Sequence, residues 1–96
     1  MEFKPLHTKI EKTIQVNNGW IVLESPNGFP RNQSNLYLIE LNGRSGWKAE
    51  KPEASTLFSR VKINEDNDTF SAYTLDGHAC ELDLTTGKLI SHISMQ

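Results

Sequence analysis

Apolar and polar residues alternate along this chain in short runs, and each run is closed by a Gly, Asn or Asp. In 78–84, Cys80, Leu82 and Leu84 stand on one side of the alternation and Glu81 and Asp83 on the other. Val61 and Ile63 likewise oppose Arg60 and Lys62, and Phe70 and Ala72 alternate with Ser71 and Tyr73. A period of two belongs to an extended strand with one face turned to a core. The pattern predicts strands at about 8–16, 20–24, 35–41, 45–50, 57–64, 69–75, 78–84 and 88–94. Asn18-Gly19, Asn42-Gly43, Asp76-Gly77 and Thr86-Gly87 place a glycine where a tight hairpin needs positive φ. This succession excludes helix beyond a single turn near Pro52-Glu53-Ala54-Ser55.

The runs repeat. Laid over 79–85, the segment 36–42 puts Ile39 on Leu82, Glu40 on Asp83 and Leu41 on Leu84, a shift of 43 residues (83 − 40). Repeat one covers about 8–50 and repeat two about 57–94, each reading as four strands joined by hairpins. The expected fold is all-β: two four-stranded antiparallel, propeller-blade-like sheets, packed as a small sandwich or half-propeller within a single domain, 1–96. By analogy with Cys80, Leu82 and Leu84, residues Tyr37, Ile39 and Leu41 are expected inward. The opposite side of that strand, Leu36, Leu38 and Glu40, is apolar enough to suggest a sheet covered on both faces. Trp20 and Trp47 are candidates to anchor either the core or a partner surface.

The repeats differ most between Glu24 and Asn35. Ten residues with two prolines stand where the second half needs only Asp76-Gly77. Such an insertion is either a functional loop or an Ω-loop that tucks Phe29 onto its own sheet.

Composition narrows the function classes. The chain has 96 residues, 36% hydrophobic and 23% charged, with net charge −2. These values suit a folded protein and not a disordered tail. No stripe of Lys or Arg follows a phosphate backbone, so direct nucleic-acid binding is not expected. A lone cysteine, no apolar run of signal-peptide length in MEFKPLHTKIEK, and no stretch of membrane-spanning length lead to the expectation of a cytoplasmic protein without membrane contact.

The candidate chemistry is sparse. His78 and Cys80 share a strand face, but two further ligands at defined spacing are lacking, and Cys80 in phase with Leu82 and Leu84 reads as a buried, inert thiol. The acidic run Asn64-Glu65-Asp66-Asn67-Asp68 lacks the Gly and distal Glu of a calcium loop and reads as a hairpin turn. Nucleotide-binding, nucleophile-elbow and metalloprotease motifs are absent from the sequence. Neither an enzyme, a metal site nor a cofactor is expected.

The phrase Glu81-Leu82-Asp83-Leu84-Thr85-Thr86-Gly87-Lys88-Leu89-Ile90 resembles the inner hairpin of blades in quinoprotein-like and WD-type propellers. The segments 35–41, 47–52, 58–62 and 77–83 resemble the immunity proteins encoded beside bacterial polymorphic and contact-dependent growth-inhibition toxins. That resemblance implies a monomer that forms a heterodimer with the C-terminal domain of a cognate toxin, commonly a basic nuclease, and occludes its active site. Carboxylates would then stand in for substrate phosphates, with an aromatic anchor beside them. The toxin-binding residues expected on this reading are Glu65, Asp66 and Asp68 at one end, Asp76 and Glu24 near the long loop, and Phe29 or Trp47 as anchor. The competing expectation is a non-catalytic propeller-like assembly or peptide-binding module that oligomerises.

Overall fold

The computed structural model describes residues 3–66 and 68–95, so Asn67 of the acidic turn lies outside the described residues. The first sheet contains β1 (Ile10–Val16), β2 (Gly19–Glu24), β3 (Leu36–Glu40) and β4 (Ser45–Lys48). The second contains β5 (Phe58–Ile63), β6 (Thr69–Thr74), β7 (His78–Asp83) and β8 (Leu89–Ser94). Both are antiparallel meanders whose spatial order is the chain order, β1-β2-β3-β4 and β5-β6-β7-β8. The chain is therefore all-β, with two four-stranded antiparallel sheets packed as a small sandwich. All four hairpin glycines adopt positive φ. The segment Pro52–Ser55 makes a short turn, closed by the Thr56 N–H donating to the Glu53 carbonyl.

One core serves both sheets. Ile21, Leu23, Leu36, Leu38 and Ala49 meet Phe58, Val61, Phe70, Ala72, Cys80 and Leu82, all buried. Each large side chain removed from water here contributes about 1.5–3 kcal/mol. Asn35 joins the layers: its Nδ2 donates to the carbonyls of Glu24 and Phe58, and its Oδ1 accepts from the Phe58 N–H. Trp47 lies over Phe70 with ring centroids 5.3 Å apart and planes at 9°, and its Nε1 donates to the Leu84 carbonyl. The backbone passes tightly beneath that indole at Gly87. A Cβ there would stand 2.5 Å from Trp47 Cε3, at a φ of +72°. Gly87→Ala is accordingly expected to cost about 2 kcal/mol through the left-handed backbone and the displaced indole. Urea unfolding measures this, and a loss below about 0.5 kcal/mol would show that Trp47 moves aside freely.

The structure reverses the expected facing of β3. Leu36 and Leu38 enter the shared core, whereas Leu41 is 57% exposed and Ile39 only half-buried. In core terms the repeat shift is 44, not 43, carrying Leu36 onto Cys80 and Leu38 onto Leu82 (82 − 38). Both sides of β3 are apolar because the first sheet is indeed covered on both. Its outer face, with Trp20, Val22 and Tyr37, is crossed by the N-terminal segment, where Phe3 packs edge-on against Trp20. Alternation alone assigns no side to such a strand.

Candidate functional site

Three of the expected contact residues are turned inward. Glu24 is fully buried, and its carboxylate accepts hydrogen bonds from the N–H groups of Leu6, His7 and Thr8 and from the Tyr37 hydroxyl. Burial would raise its pKa, but these bonds outweigh it and hold the carboxyl below its usual range. Tyr37 is pushed well above the ordinary phenol range, first by burial and then by the neighbouring carboxylate. Glu24 thus straps the N-terminal segment to the first sheet and presents no charge to a partner.

Phe29 is 4% exposed and packs edge-on against His7, with ring centroids 5.0 Å apart. The long loop around it is pinned by Lys51, whose Nζ donates to the carbonyls of Arg31, Gln33 and Ala54. Of the two readings of residues 25–34, the tucked Ω-loop is the one adopted. Trp47 is half-buried, with one face of its ring on Phe70 and its N–H donated to the Leu84 carbonyl. Glu24 and Phe29 lie inside the fold, and Trp47 takes the core side of the two roles expected of it, because large or charged side chains in loops and short strands satisfy polar or apolar demands from elements distant in sequence.

The acidic residues separate into two groups at opposite ends of β6. At one end, Glu65, Asp66 and Asp68 are exposed on the β5–β6 turn. Asp66 Oδ1 accepts from the N–H groups of Asp68 and Thr69, which hold its carboxyl below the usual range. At the other end, Asp76 Oδ1 accepts from the Thr74 hydroxyl, from Thr56 Oγ1 at 2.8 Å and from His78 Nδ1 at 3.2 Å. The Thr74 hydrogen bond is the main cause of a carboxyl lowered to about 2; burial opposes it, and Thr56 and His78 reinforce it. Asp76 does lie beside the long loop as expected, sharing a cleft with Arg31, but its carboxylate ties the β6–β7 turn to the approach of β5. His78 contacts His92 edge-on, and burial pushes the Cys80 thiol up to about 11, with Asp76 adding to the shift, so it stays protonated at neutral pH. Among the described residues, no group of three or more His, Cys, Asp or Glu is placed to hold a metal ion.

The outer face of the second sheet is where exposed chemistry converges. Cross-strand register places Lys62, Ser71, Glu81 and Ser91 in one row and Arg60, Tyr73, Ala79 and Ile93 in the next. Tyr73, half-buried, borders two shallow depressions and has Ser71 and Ala79 as its small neighbours and Arg60, Ile93 and Met95 as its larger ones. One, of about 270 Å³, is bordered by Ser71, Ala79, Glu81 and Ile93; the other, of about 360 Å³, by Ser59, Arg60 and Met95. A ladder of side chains connects this face to the acidic turn: Ser71 Oγ donates to Asn64 Oδ1, Asn64 Nδ2 donates to Thr69 Oγ1, and Thr69 Oγ1 donates to Asp66. Cations on β5 and carboxylates on β7 thus flank an aromatic centre whose acidic end is Glu65, Asp66 and Asp68. Sequence reasoning had placed Tyr73 opposite Phe70 and Ala72 but had not weighed it as an anchor. The available signal was an aromatic alone on a strand face otherwise polar and small.

Residues 4–93 match the family described as Domain of unknown function (DUF7957), which is more than half of the chain. No curated protein and no solved structure matches.

Proposed function

The chain belongs to the DUF7957 family, and from that premise we propose that it is a non-catalytic immunity protein. It binds the C-terminal domain of a cognate toxin, a basic nuclease, and occludes its active site in the cytoplasm. The observation that carries this reading is the outer face of β5–β8, where Tyr73 borders two depressions beside a carboxylate-rich end. An aromatic that is already part-desolvated and held on a strand loses little entropy on binding, and such residues dominate interface energies. Carboxylates of Glu65, Asp68 and Glu81 meet the Lys, Arg and His of a nuclease cleft and accelerate encounter. Arg60 and Lys62 on the opposite border repel misoriented partners and so set the docking direction. No cofactor is needed for this inhibition.

The test is to look beside this chain's reading frame for the toxin that this reading requires, and to measure inhibition of that toxin's C-terminal domain by DNA or RNA cleavage and by binding kinetics. Tyr73→Ala is expected to weaken binding by about 30-fold or more, the scale of an interface hot spot. Glu65→Lys combined with Asp68→Lys is expected to slow association roughly tenfold at low salt and much less at high salt. Asp66 is left intact because it holds the turn. A wild-type protein that neither binds nor inhibits that domain overturns the proposal, and unchanged affinity in both variants removes this face from it.

A further inference from the structure

The geometry points to a binding site for a short aliphatic carboxylate in the cavity between the N-terminal segment and the outer face of the first sheet. This cavity, of about 80 Å³, is bordered by Lys4 and Leu6 on the segment and by Tyr37, Ile39, Ser45 and Lys48 on β3 and β4. Local structure makes the space. Tyr37 pairs with Lys48 and Ile39 with Ser45, so Leu38 alone stands against both Gly46 and Trp47. Such a bulge bends the strand that carries the extra residue. Here Trp47 turns to Phe70 on the core side, while Ser45 and Lys48 stay on the outer side with Ile39 and Tyr37. Gly46 lets the strands close at this point: a Cβ there would lie 2.9 Å from Leu38 Cδ2 and 3.1 Å from the Leu38 carbonyl oxygen. The opposite wall is the N-terminal segment, which Glu24 holds in place through the N–H groups of Leu6, His7 and Thr8.

Charge and volume define the ligand. Lys4 and Lys48 are both exposed, and among the described residues neither side chain has an ion-pair or hydrogen-bond partner. A lysine bordering a cavity lays its stem along the wall and keeps its ammonium at the water, so two positive heads stand at the mouth. Among the described residues no Asp or Glu borders the cavity. Glu24, which holds the segment, is fully buried, and its charge is already met by three amides and the Tyr37 hydroxyl. The inner surface is supplied by Leu6, Tyr37 and Ile39, which favours an apolar tail. An apolar cavity of about 150 Å³ accepts benzene, so roughly half that volume takes a chain of about three or four carbons. The ligand is therefore a carboxylate on such a chain, offered either by a free acid or by the C-terminal residue of a polypeptide. Neither Tyr73 nor the acidic turn takes part, so the site is independent of the proposed inhibition.

NMR titration of the whole chain at fixed ionic strength tests it, with butyrate, a tripeptide ending in valine, and butylamine as the control of opposite charge. Butyrate is expected to move the amide signals of Lys4, Leu6 and 45–48 and the indole N–H of Trp47, with a dissociation constant of about 1 mM, the scale for so small a ligand. Butylamine should leave them in place. Lys4→Gln and Lys48→Gln change exposed side chains and leave the fold intact. Each is expected to weaken binding about threefold, and the two together about tenfold. Both acids share the chemistry that the site reads, so tighter binding of butyrate assigns a free acid and tighter binding of the tripeptide assigns a chain end. The absence of saturable shifts with either acid up to about 20 mM overturns the proposal. So do an affinity that the double variant leaves unchanged, butylamine binding as well as butyrate, and shifts confined to the Tyr73 face. Nuclease inhibition is scored separately, so the two readings fail independently.

Discussion

Asn35→Ala is expected to lower the stability of the fold by about 4 kcal/mol. The side chain is fully buried and makes three hydrogen bonds, to the Glu24 carbonyl, the Phe58 carbonyl and the Phe58 N–H. Each buried backbone group left without a partner costs about 1–3 kcal/mol, and the vacated space adds to the loss. Because Phe58 opens β5 while Glu24 closes β2, these bonds also set how the two sheets meet. A domain of this size is stable by only about 5–15 kcal/mol, so the midpoint of thermal unfolding should fall by about 15–25 °C. Asn35→Asp separates the causes, since it preserves volume and the acceptor for the Phe58 N–H but offers the two carbonyls no donor. It should be as damaging as Ala. Urea unfolding with both variants decides the matter: near wild-type stability for Asp would mean that volume, not hydrogen bonding, is what Asn35 supplies.

Glu24→Gln is expected to cost about 3 kcal/mol at neutral pH. The amide keeps the size but replaces one acceptor oxygen with a donor, facing a site built from three backbone N–H groups and the Tyr37 hydroxyl. Hydrogen bonds to a charged acceptor contribute about 1.5–3 kcal/mol each, and part is recovered as the freed amides meet water. The sign of the pH dependence follows from the direction of the shift. The folded-state pKa of Glu24 is lowered, so its contribution is complete above the ordinary carboxylate value of 4.5 and is lost as pH falls through the folded-state value. Asp76, lowered from 3.8 to about 2, contributes in the same sense between those two values. Wild-type stability should therefore decline below about pH 4.5, while the gap between wild type and Glu24→Gln narrows. Amide exchange at Leu6, His7 and Thr8 should rise selectively in the variant. A gap that stays constant down to pH 2 would show that the ionised form of Glu24 is not what holds the strap.

The candidate surface was legible only in part. Glu65, Asp66 and Asp68 are exposed together at a hairpin, as a polar, turn-forming run between two alternating strands must be. Tyr73 was on the correct side of β6, because Phe70 and Ala72 on the other side left it outward. Its neighbours Arg60, Ala79, Ile93 and Met95 come from other parts of the chain, and their convergence depends on cross-strand register. Glu24 and Phe29 failed as surface candidates because their partners, the amides of 6–8 and the ring of His7, lie 16 or more positions away and carry no local signal.

Local alternation and turn chemistry are sufficient to place the eight strands of the described residues within a few positions, since a period of two and glycines at positive φ are short-range steric facts. They also suffice for β6 and β7, where one side is apolar and the other is not. The side of β3 that enters the core was decided by tertiary structure alone, because Leu36, Tyr37, Leu38 and Ile39 offer two apolar faces and the N-terminal segment claims one of them. Tertiary structure likewise turned Glu24 from a surface charge into a buried clasp, since only a folded chain brings three amides and a tyrosine hydroxyl to one carboxylate.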